Sequence, residues 1–435
     1  MGNADQTSLA SLRALTRNLP NNGDASLCSG DGGCSSAMRT RSGRVFRFGE
    51  VTLPASKSES NRALMIAAYG GFAPDFQNLS DSNDTQVLNE ALVSMSFQRW
   101  VVRGRESMHT KASFIDIADC GTAARFMTTY MACHEGEWLL TGTERMKQRP
   151  ILPLVKSLRE LGADIQFVEK EGCLPLRIKG KPITGGKVQI DMHQSSQFAS
   201  SLLLAAPMWP KGLEMDLVGE LTSLPYLEMT LTMMRHFGAE VERNGRTISV
   251  KPRPYQANSF VVSGDWSAAS YWYEMAALSE ECEIRLRGLS LSSLQGDVVI
   301  VDWMKQLGVG TFVEKDAIVL RKTPFEKHSV CFDFAAHPDL YPTMAATCAG
   351  LNVDATFTGL DNLALKESDR VGAMQAELSK LGSRPLRFCS HNDHRIVMAL
   401  APLALLYGPI SFDHPEVVEK SYPGFWSDCP FLQAL

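Results

Sequence analysis

The sequence predicts an α/β protein built from six repeated units, and three observations carry that prediction. A small or polar cluster repeatedly opens an apolar, alanine-rich helix that leads through a short turn into a β-rich run. The clusters lie near Ser60-Asn61-Arg62, Gly121-Thr122-Ala123, Ser195-Ser196-Gln197, Asp265-Trp266-Ser267, His337-Pro338-Asp339 and Asn392-Asp393-His394. A second, amphipathic helix recurs and runs into Gly162, Gly238, Gly308 and Gly382, spaced by about 70 residues. A glycine just past the last turn takes the left-handed conformation that closes a helix. A degenerate copy without the glycine, Leu92-Val93-Ser94-Met95-Ser96-Phe97, precedes them. Finally, the helices of the first class are hydrophobic around most of their circumference, which puts them inside rather than on the surface. Six such α/β units divide as three plus three, giving two lobes. If the six polar helix starts face the gap between lobes, their positive ends converge on one cleft and make an anion trap.

The elements follow in order. Residues 1–40, with Asn21-Asn22-Gly23 and Ser29-Gly30-Asp31-Gly32-Gly33, are polar, Gly-rich and aperiodic, which predicts a disordered tail or an extension. They carry no apolar run of a secretory signal, Asp5, Asp24 and Asp31 interrupt any transit-peptide pattern, and Met38 is an alternative start. The first helix is announced by Ser56-Lys57-Ser58-Glu59-Ser60-Asn61-Arg62 and the apolar run from Ala63. The amides of Ser60, Asn61 and Arg62 are therefore expected in its unpaired first turn, where phosphate or carboxylate binds well. The plain alternative is an N-cap with surface charges. Strands are expected at Leu139-Leu140-Thr141-Gly142, Leu213-Glu214-Met215-Asp216-Leu217, Ile284-Arg285-Leu286 and Ala355-Thr356-Phe357-Thr358-Gly359. The nearly uncharged run from Ile396 to Ile410, interrupted by Pro402 and Pro409, falls short of the roughly 20 residues that span a bilayer. It reads as a buried helix.

A chain of 435 residues that is 44% hydrophobic exceeds one ordinary core and suits about two or three domains. A net charge of −5 argues against a general nucleic-acid surface. The ten cysteines are scattered, as in Met131-Ala132-Cys133 and Thr347-Cys348-Ala349, the habit of free buried thiols in a reducing cytoplasm. Cys28 and Cys34 have no nearby histidine, and His391 and His394 have no third ligand, so no metal is expected.

Basic residues recur at element starts and turns: Lys57, Arg62, Arg125, Lys147, Arg149, Lys366, Arg370, Arg395 and Lys420. Each alone reads as a solvated surface charge. Together at one cleft they would repel each other without an anion, so they ask for a substrate with several negative charges. Asp339 and Glu367 stand among them as candidates for proton transfer, with N-capping and an ordinary ion pair as their respective alternatives. There is no Walker A run, GxGxxG or GxSxG, which leaves nucleotide kinase and serine hydrolase readings unsupported.

Leu53-Pro54-Ala55-Ser56-Lys57-Ser58-Glu59-Ser60-Asn61-Arg62, Gly121-Thr122-Ala123, Leu140-Thr141-Gly142 with Arg145-Met146-Lys147-Gln148-Arg149-Pro150, Ser195-Ser196-Gln197-Phe198, Lys366-Glu367-Ser368-Asp369-Arg370 and Asn392-Asp393-His394-Arg395 together resemble the EPSP synthase family, the 3-phosphoshikimate 1-carboxyvinyltransferases. The resemblance runs from near Val45 to the C-terminus. It implies the enolpyruvyl transferase fold, an inside-out α/β barrel in two lobes. Lobe one would hold residues 41–55 and 265–435 and lobe two 56–264, with the active site in the cleft and crossings near Pro54-Ala55-Ser56 and Gly264-Asp265. It further implies transfer of the carboxyvinyl group of phosphoenolpyruvate to the 5-hydroxyl of shikimate 3-phosphate, by addition then elimination, in chorismate and aromatic amino acid biosynthesis.

Carried over by motif, Ser58, Arg62, Ser195, Ser196, Gln197, Ser223, Tyr226, Asp339, Asn362 and Lys366 would hold shikimate 3-phosphate. Lys57, Gly121, Arg149, Gln197, Arg370, Arg395 and Lys420 would hold phosphoenolpyruvate. Asp339 would take the 5-hydroxyl proton, Glu367 would protonate the methylene carbon, and Lys57 would stabilise the departing phosphate. No cofactor and no metal are implied. The partners are the two small-molecule substrates, with no nucleic acid and no membrane, and the protein is expected to be a cytoplasmic monomer. Two alternatives stand beside this: the sister enzyme acting on UDP-N-acetylglucosamine, which uses a cysteine acid on a mobile loop, and a non-catalytic anion-binding relative. Departures from the family pattern are Glu59, expected to point away from the phosphate site, and Asp119, Gln148 and Ala364, where the family commonly has Asn, Glu and Arg.

Overall fold

The alternation of β-rich runs and apolar helices folds as strand–helix–strand units. The computed structural model describes residues 45–73, 75–103 and 113–433; the tail expected over 1–40, with Cys28, Cys34 and Met38, lies outside the described residues. In chain order come β1 (Val45–Thr52), α1 (Lys57–Gly70), β2 (Asp75–Gln77), α2 (Asn83–Arg103), β3 (Ser113–Asp116), α3 (Gly121–Cys133), β4 (Gly136–Thr141), α4 (Leu152–Glu160), β5 (Asp164–Phe167), β6 (Leu176–Gly180), β7 (Gly186–Asp191), α5 (Ser196–Ala205), β8 (Leu213–Val218), α6 (Leu224–His236), β9 (Val241–Asn244), β10 (Thr247–Val250) and β11 (Ser259–Val261). They continue with α7 (Trp266–Leu278), β12 (Glu281–Arg287), α8 (Ile300–Lys305), β13 (Val309–Glu314), β14 (Ala317–Lys322), β15 (Val330–Asp333), α9 (Tyr341–Leu351), β16 (Ala355–Thr358), α10 (Arg370–Leu378), β17 (Leu386–Phe388), α11 (His394–Leu400) and β18 (Ile410–Phe412).

The chain divides into two compact units. A central unit holds residues 55–263 together with 365–367, and a terminal unit holds the described residues up to Pro54, 264–364 and those from Ser368 on.

Among the described residues there are six sheets, and three share one topology: β3-β4-β6-β5 and β7-β8-β10-β9 in the central unit, β1-β12-β14-β13 in the terminal unit. Each is a parallel pair extended by an antiparallel hairpin. The other three, β11-β2, β15-β16 and β17-β18, keep only the parallel pair. Parallel neighbours need a crossover, and the apolar helices α3, α5, α9 and α11 each supply one between β3 and β4, β7 and β8, β15 and β16, and β17 and β18. At the two chain crossings the rule is kept with exchanged strands. Helix α1 follows β1 and α7 follows β11, yet β1 pairs with β12 and β11 with β2. The chain crosses between strand and helix, so each strand stays behind in the unit it came from. The crossings are tied locally, Ser56 N donating to Ser263 O at 2.7 Å and Asp265 N to Pro54 O at 2.9 Å.

The apolar helices are buried along nearly their whole length; in α7 every residue from Trp266 to Leu278 is buried, as an all-round hydrophobic helix requires. The amphipathic helices α4, α6, α8 and α10 end before Gly162, Gly238, Gly308 and Gly382, all at positive φ. At the first two, Ala163 N donates to Leu158 O and Ala239 N to Met234 O, the long closing bond of a Schellman cap.

One expectation is corrected. The run from Ile396 to Ile410 is not a single helix: α11 stops at Leu400, Ala401–Leu403 is a 3-10 turn containing Pro402, one further turn covers Ala404–Tyr407, and Ile410 begins β18. Pro402 supplies no amide for the α-helical ladder, so the pitch tightens there. No described helix is long and apolar enough to cross a membrane.

Candidate active site

In the central unit, Ser56 caps α1: its Oγ accepts Glu59 N at 3.4 Å and its carbonyl accepts Ser60 N at 3.0 Å. The helix thus starts at Lys57, earlier than the apolar run suggests. The amides left at its first turn are those of Lys57 and Ser58, and Ser60, Asn61 and Arg62 lie buried inside the helix. Glu59 is fully buried, and its Oε2 accepts Ser263 N at 2.9 Å, so this departure from the family pattern pins the returning crossing to the start of α1.

Arg62 donates Nε to Thr230 Oγ1 at 2.8 Å, Nη1 to Ser58 O at 2.9 Å and Nη2 to Tyr226 O at 3.1 Å. Burial lowers its guanidinium to about 10, which leaves it a cation at neutral pH. Ser58 and Tyr226 are brought beside it. Tyr226 N in turn donates to Ser223 O, and Ser223, buried ahead of α6, takes φ 54° and ψ 36°, a left-handed conformation uncommon outside glycine. Lys57 Nζ lies 2.9 Å from the buried Asp84. Asp84 escapes a sequence reading because an acid in the first turn of α2 looks like ordinary helix-dipole chemistry.

Gly121 opens α3, and a Cβ there would lie 2.7 Å from Arg149 Nη1, so glycine makes room for that guanidinium. Arg149 Nη1 is 3.3 Å from Glu367 Oε1. Arg145 donates Nε to Glu367 O at 3.0 Å and Nη2 to Lys366 O at 2.8 Å, which fastens residues 365–367 to the central unit. In the run 145–150 the sequence singles out the cations Lys147 and Arg149. Lys147 instead pairs with the exposed Glu144 and Glu169, and Arg145 takes the place beside Lys366 and Glu367. Arg125 supports the same corner, donating to Gly121 O and Pro150 O; burial first, then the neighbouring Arg149, lowers it to about 9. Ser195 caps α5 through Gln197 N, Ser196 is buried behind it, and Gln197 Nε2 donates to Thr122 Oγ1 at 3.2 Å, reaching the Gly121 turn.

In the terminal unit Asp339 lies in a 3-10 turn, Pro338–Leu340, ahead of α9. It is not an N-cap: Oδ1 accepts Arg370 Nη1 and Oδ2 accepts Arg395 Nη2, both at 2.8 Å. Asp393, in the polar cluster expected to open the next helix, caps that helix instead. It accepts Arg395 N at 3.0 Å at the start of α11, and its Oδ2 also takes Arg370 Nε at 2.8 Å and Ser368 Oγ at 3.0 Å. Arg370, 1% exposed, is therefore held between two carboxylates. Asn362 is 3% exposed, and both amide atoms lack a hydrogen-bond partner among the described residues. Lys420 is buried at the end of the turn Pro415–Lys420.

The interior helices, the outer sheets and these cation-rich helix starts define an enolpyruvyl transferase fold. Two solved structures are similar to it. EPSP synthase from Acinetobacter baumannii has a TM-score of 0.65 at 21% identity, and the enolpyruvyl transferase NikO from Streptomyces tendae 0.60 at 15%; each match covers 90% of this chain and 96% of the other. The family model described as EPSP synthase (3-phosphoshikimate 1-carboxyvinyltransferase) matches residues 47–429. Relatives named 3-phosphoshikimate 1-carboxyvinyltransferase include one from Bacteroides fragilis, 42% identical over 399 residues, and one from Haemophilus influenzae, 34% identical over 416. Both matches cover 87% of this chain, with 93% and 95% of the relatives. The chain belongs to the EPSP synthase family.

Proposed function

We propose that this protein transfers the carboxyvinyl group of phosphoenolpyruvate to the 5-hydroxyl of shikimate 3-phosphate and releases phosphate, the activity for which its family and relatives are named. The observation that carries the reading is Asp339 held as a carboxylate by Arg370 and Arg395, a proton acceptor built among anion-binding cations. Ser58, Arg62, Ser195, Ser196, Ser223, Tyr226, Asn362, Lys366 and Gln197 hold shikimate 3-phosphate. Lys57, Gly121, Arg149, Gln197, Arg370, Arg395 and Lys420 hold phosphoenolpyruvate.

In the addition step the 5-hydroxyl O–H breaks, its proton passes to Asp339, and its electron pair forms the bond to C2 of phosphoenolpyruvate. Glu367 delivers a proton to C3, making a methyl group and a tetrahedral intermediate. Elimination returns a methyl proton to a carboxylate, re-forms the double bond and expels phosphate toward Lys57. Fixed guanidiniums need little reorganisation as charge moves. The reading extends to a cytoplasmic monomer without nucleic-acid or membrane partners, and the free thiols of all the described cysteines suit a reducing compartment. Phosphate release measured with each substrate alone, with both, and with UDP-N-acetylglucosamine in place of shikimate 3-phosphate tests it. Release is expected only with shikimate 3-phosphate and phosphoenolpyruvate together, and release driven by UDP-N-acetylglucosamine would overturn the reading.

A further inference from the structure

Behind Asp339 lies a buried acid for which the mechanism above has no use. Asp297 sits in the turn Gly296–Val299 that leads into α8 and is fully buried. Ser267 Oγ donates to its Oδ2. Ser267 belongs to the first turn of α7, and its hydroxyl also accepts Gln295 Nε2 at 3.1 Å and Arg395 Nη2 at 3.4 Å. That same Arg395 nitrogen donates to Asp339 Oδ2 at 2.8 Å. A continuous path of hydrogen bonds thus joins Asp297, Ser267, Arg395 and Asp339, all within the terminal unit.

The charges explain what such a path does. A base between two guanidiniums is a poor proton acceptor unless their charge is balanced elsewhere. Arg370 is also met by Asp393, and on the Arg395 side Asp297 is a further carboxylate, reached through Ser267. An ionised Asp297 adds its negative charge to those of Asp339, Asp393 and Asp265 around the two guanidiniums and so raises the affinity of Asp339 for an arriving proton. With Asp297 protonated that contribution is missing, and in a buried place its loss is weakly screened.

We propose that Asp297 is a positioning residue for the proton step: acting through Ser267 and Arg395, its negative charge lets Asp339 accept the 5-hydroxyl proton. This rests on the carboxyvinyl-transfer reading. The other groups facing Asp297 are Asp265 at the N-terminus of α7, Asp339 and His337 in the turn before α9, and Arg395 on α11. His337 Nδ1 lies 3.9 Å from Asp297 Oδ1, and desolvation holds that imidazole below its ordinary value despite the nearby Asp333. Burial first, and then the Asp339 carboxylate, push Asp297 up to about 7. Its charge is therefore set near neutrality, and turnover rises as pH passes upward through that region.

The test is the pH dependence of kcat for the wild type, Asp297→Asn and Ser267→Ala, with thermal unfolding as a folding control. The wild type is expected to show an ionisation near neutrality below which kcat falls. Asp297→Asn should lose that limb, with a plateau about tenfold lower, the equivalent of about one pH unit of proton affinity. Ser267→Ala should keep the limb and lose less. An Asp297→Asn enzyme that retains the neutral limb, or a wild type that lacks one, would overturn the proposal even if that variant folds poorly. Carbon-13 shifts of the aspartate carboxyls assign the ionisation independently of turnover: a signal titrating near neutrality in the wild type and missing from Asp297→Asn supports the proposal, and its absence from the wild type sinks it. A wild type that releases no phosphate from the two substrates instead defeats the reaction reading, so the two failures are distinguishable.

Discussion

The two units anchor their cations in opposite ways. In the central unit the hydrogen bonds of Arg62 go to the Thr230 hydroxyl and to the carbonyls of Ser58 and Tyr226, and Arg125 is aimed by the carbonyls of Gly121 and Pro150. In the terminal unit Arg370 and Arg395 are held by the carboxylates of Asp339 and Asp393. Neutral acceptors fix a guanidinium without cancelling its charge, and that charge stays available to a phosphate. Carboxylates fix it and offset part of its charge, which suits a place where an anion is held and a proton comes and goes beside it. Lys57 with Asp84 and Arg149 with Glu367 are intermediate, each a cation with one acid.

Breaking a carboxylate anchor is the severest way to probe this contrast. Asp393→Asn leaves the buried Arg370 with one carboxylate where it had two and strands part of the Ser368 and Arg395 bonding. Removing one partner of a buried pair costs about 3–5 kcal/mol. The urea midpoint of unfolding should fall accordingly, and a change within experimental scatter would show that the charge of Arg370 is balanced elsewhere.

The next largest effect concerns an acid in the terminal unit that no cation holds among the described residues. Glu274 on α7 is fully buried, and both carboxyl oxygens lack a hydrogen-bond partner among the described residues. Burial pushes it well above its ordinary 4.5, so the fold carries it neutral. A carboxyl with a raised folded value contributes its full share of stability below the unfolded value and loses it as pH climbs from there toward the folded one. The loss is about 1.4 kcal/mol per pH unit over that window. Glu274→Gln should match the wild type at acid pH and exceed it increasingly toward neutrality. Parallel melting-temperature profiles for the two proteins would mean that Glu274 is ionised in the fold.

Much of the fold was legible because its signals are local: the apolar helices, the glycines that close the amphipathic ones, and the β-rich runs after each. What could not be read depends on partners far along the chain. The partner of Glu59 could not be read because Ser263, which it holds, arrives only when the second crossing forms. Arg145 and Lys147 are equivalent in sequence, and only the return of residues 365–367 separates them. Asp339 and Glu367 were legible as acids among cations, and Asp393 as part of a polar helix start, whereas nothing local singles out Asp84 or Asp297 from other acids in first turns. The start of α1 was misplaced because the Ser56 cap lies outside the apolar run that marks the helix.

The smallest expected effect tests the neutral side of the contrast. Thr230→Val removes the hydroxyl that accepts Arg62 Nε and leaves the two carbonyl contacts in place. Valine fills nearly the same volume, so Arg62 loses one hydrogen bond, about 1.5–3 kcal/mol at most and less if the guanidinium re-aims, while the hydroxyl's own donation to Ser200 Oγ or Tyr226 O is lost with it and lowers stability more than binding. If Arg62 is a charge kept available for the shikimate phosphate, that loss appears in binding: KM for shikimate 3-phosphate should rise about three- to tenfold at unchanged kcat, since a uniform loss of binding leaves the chemical step alone. A fall in kcat with KM unchanged would place Arg62 in the transition state and erase the division of labour between the two ways of holding a cation.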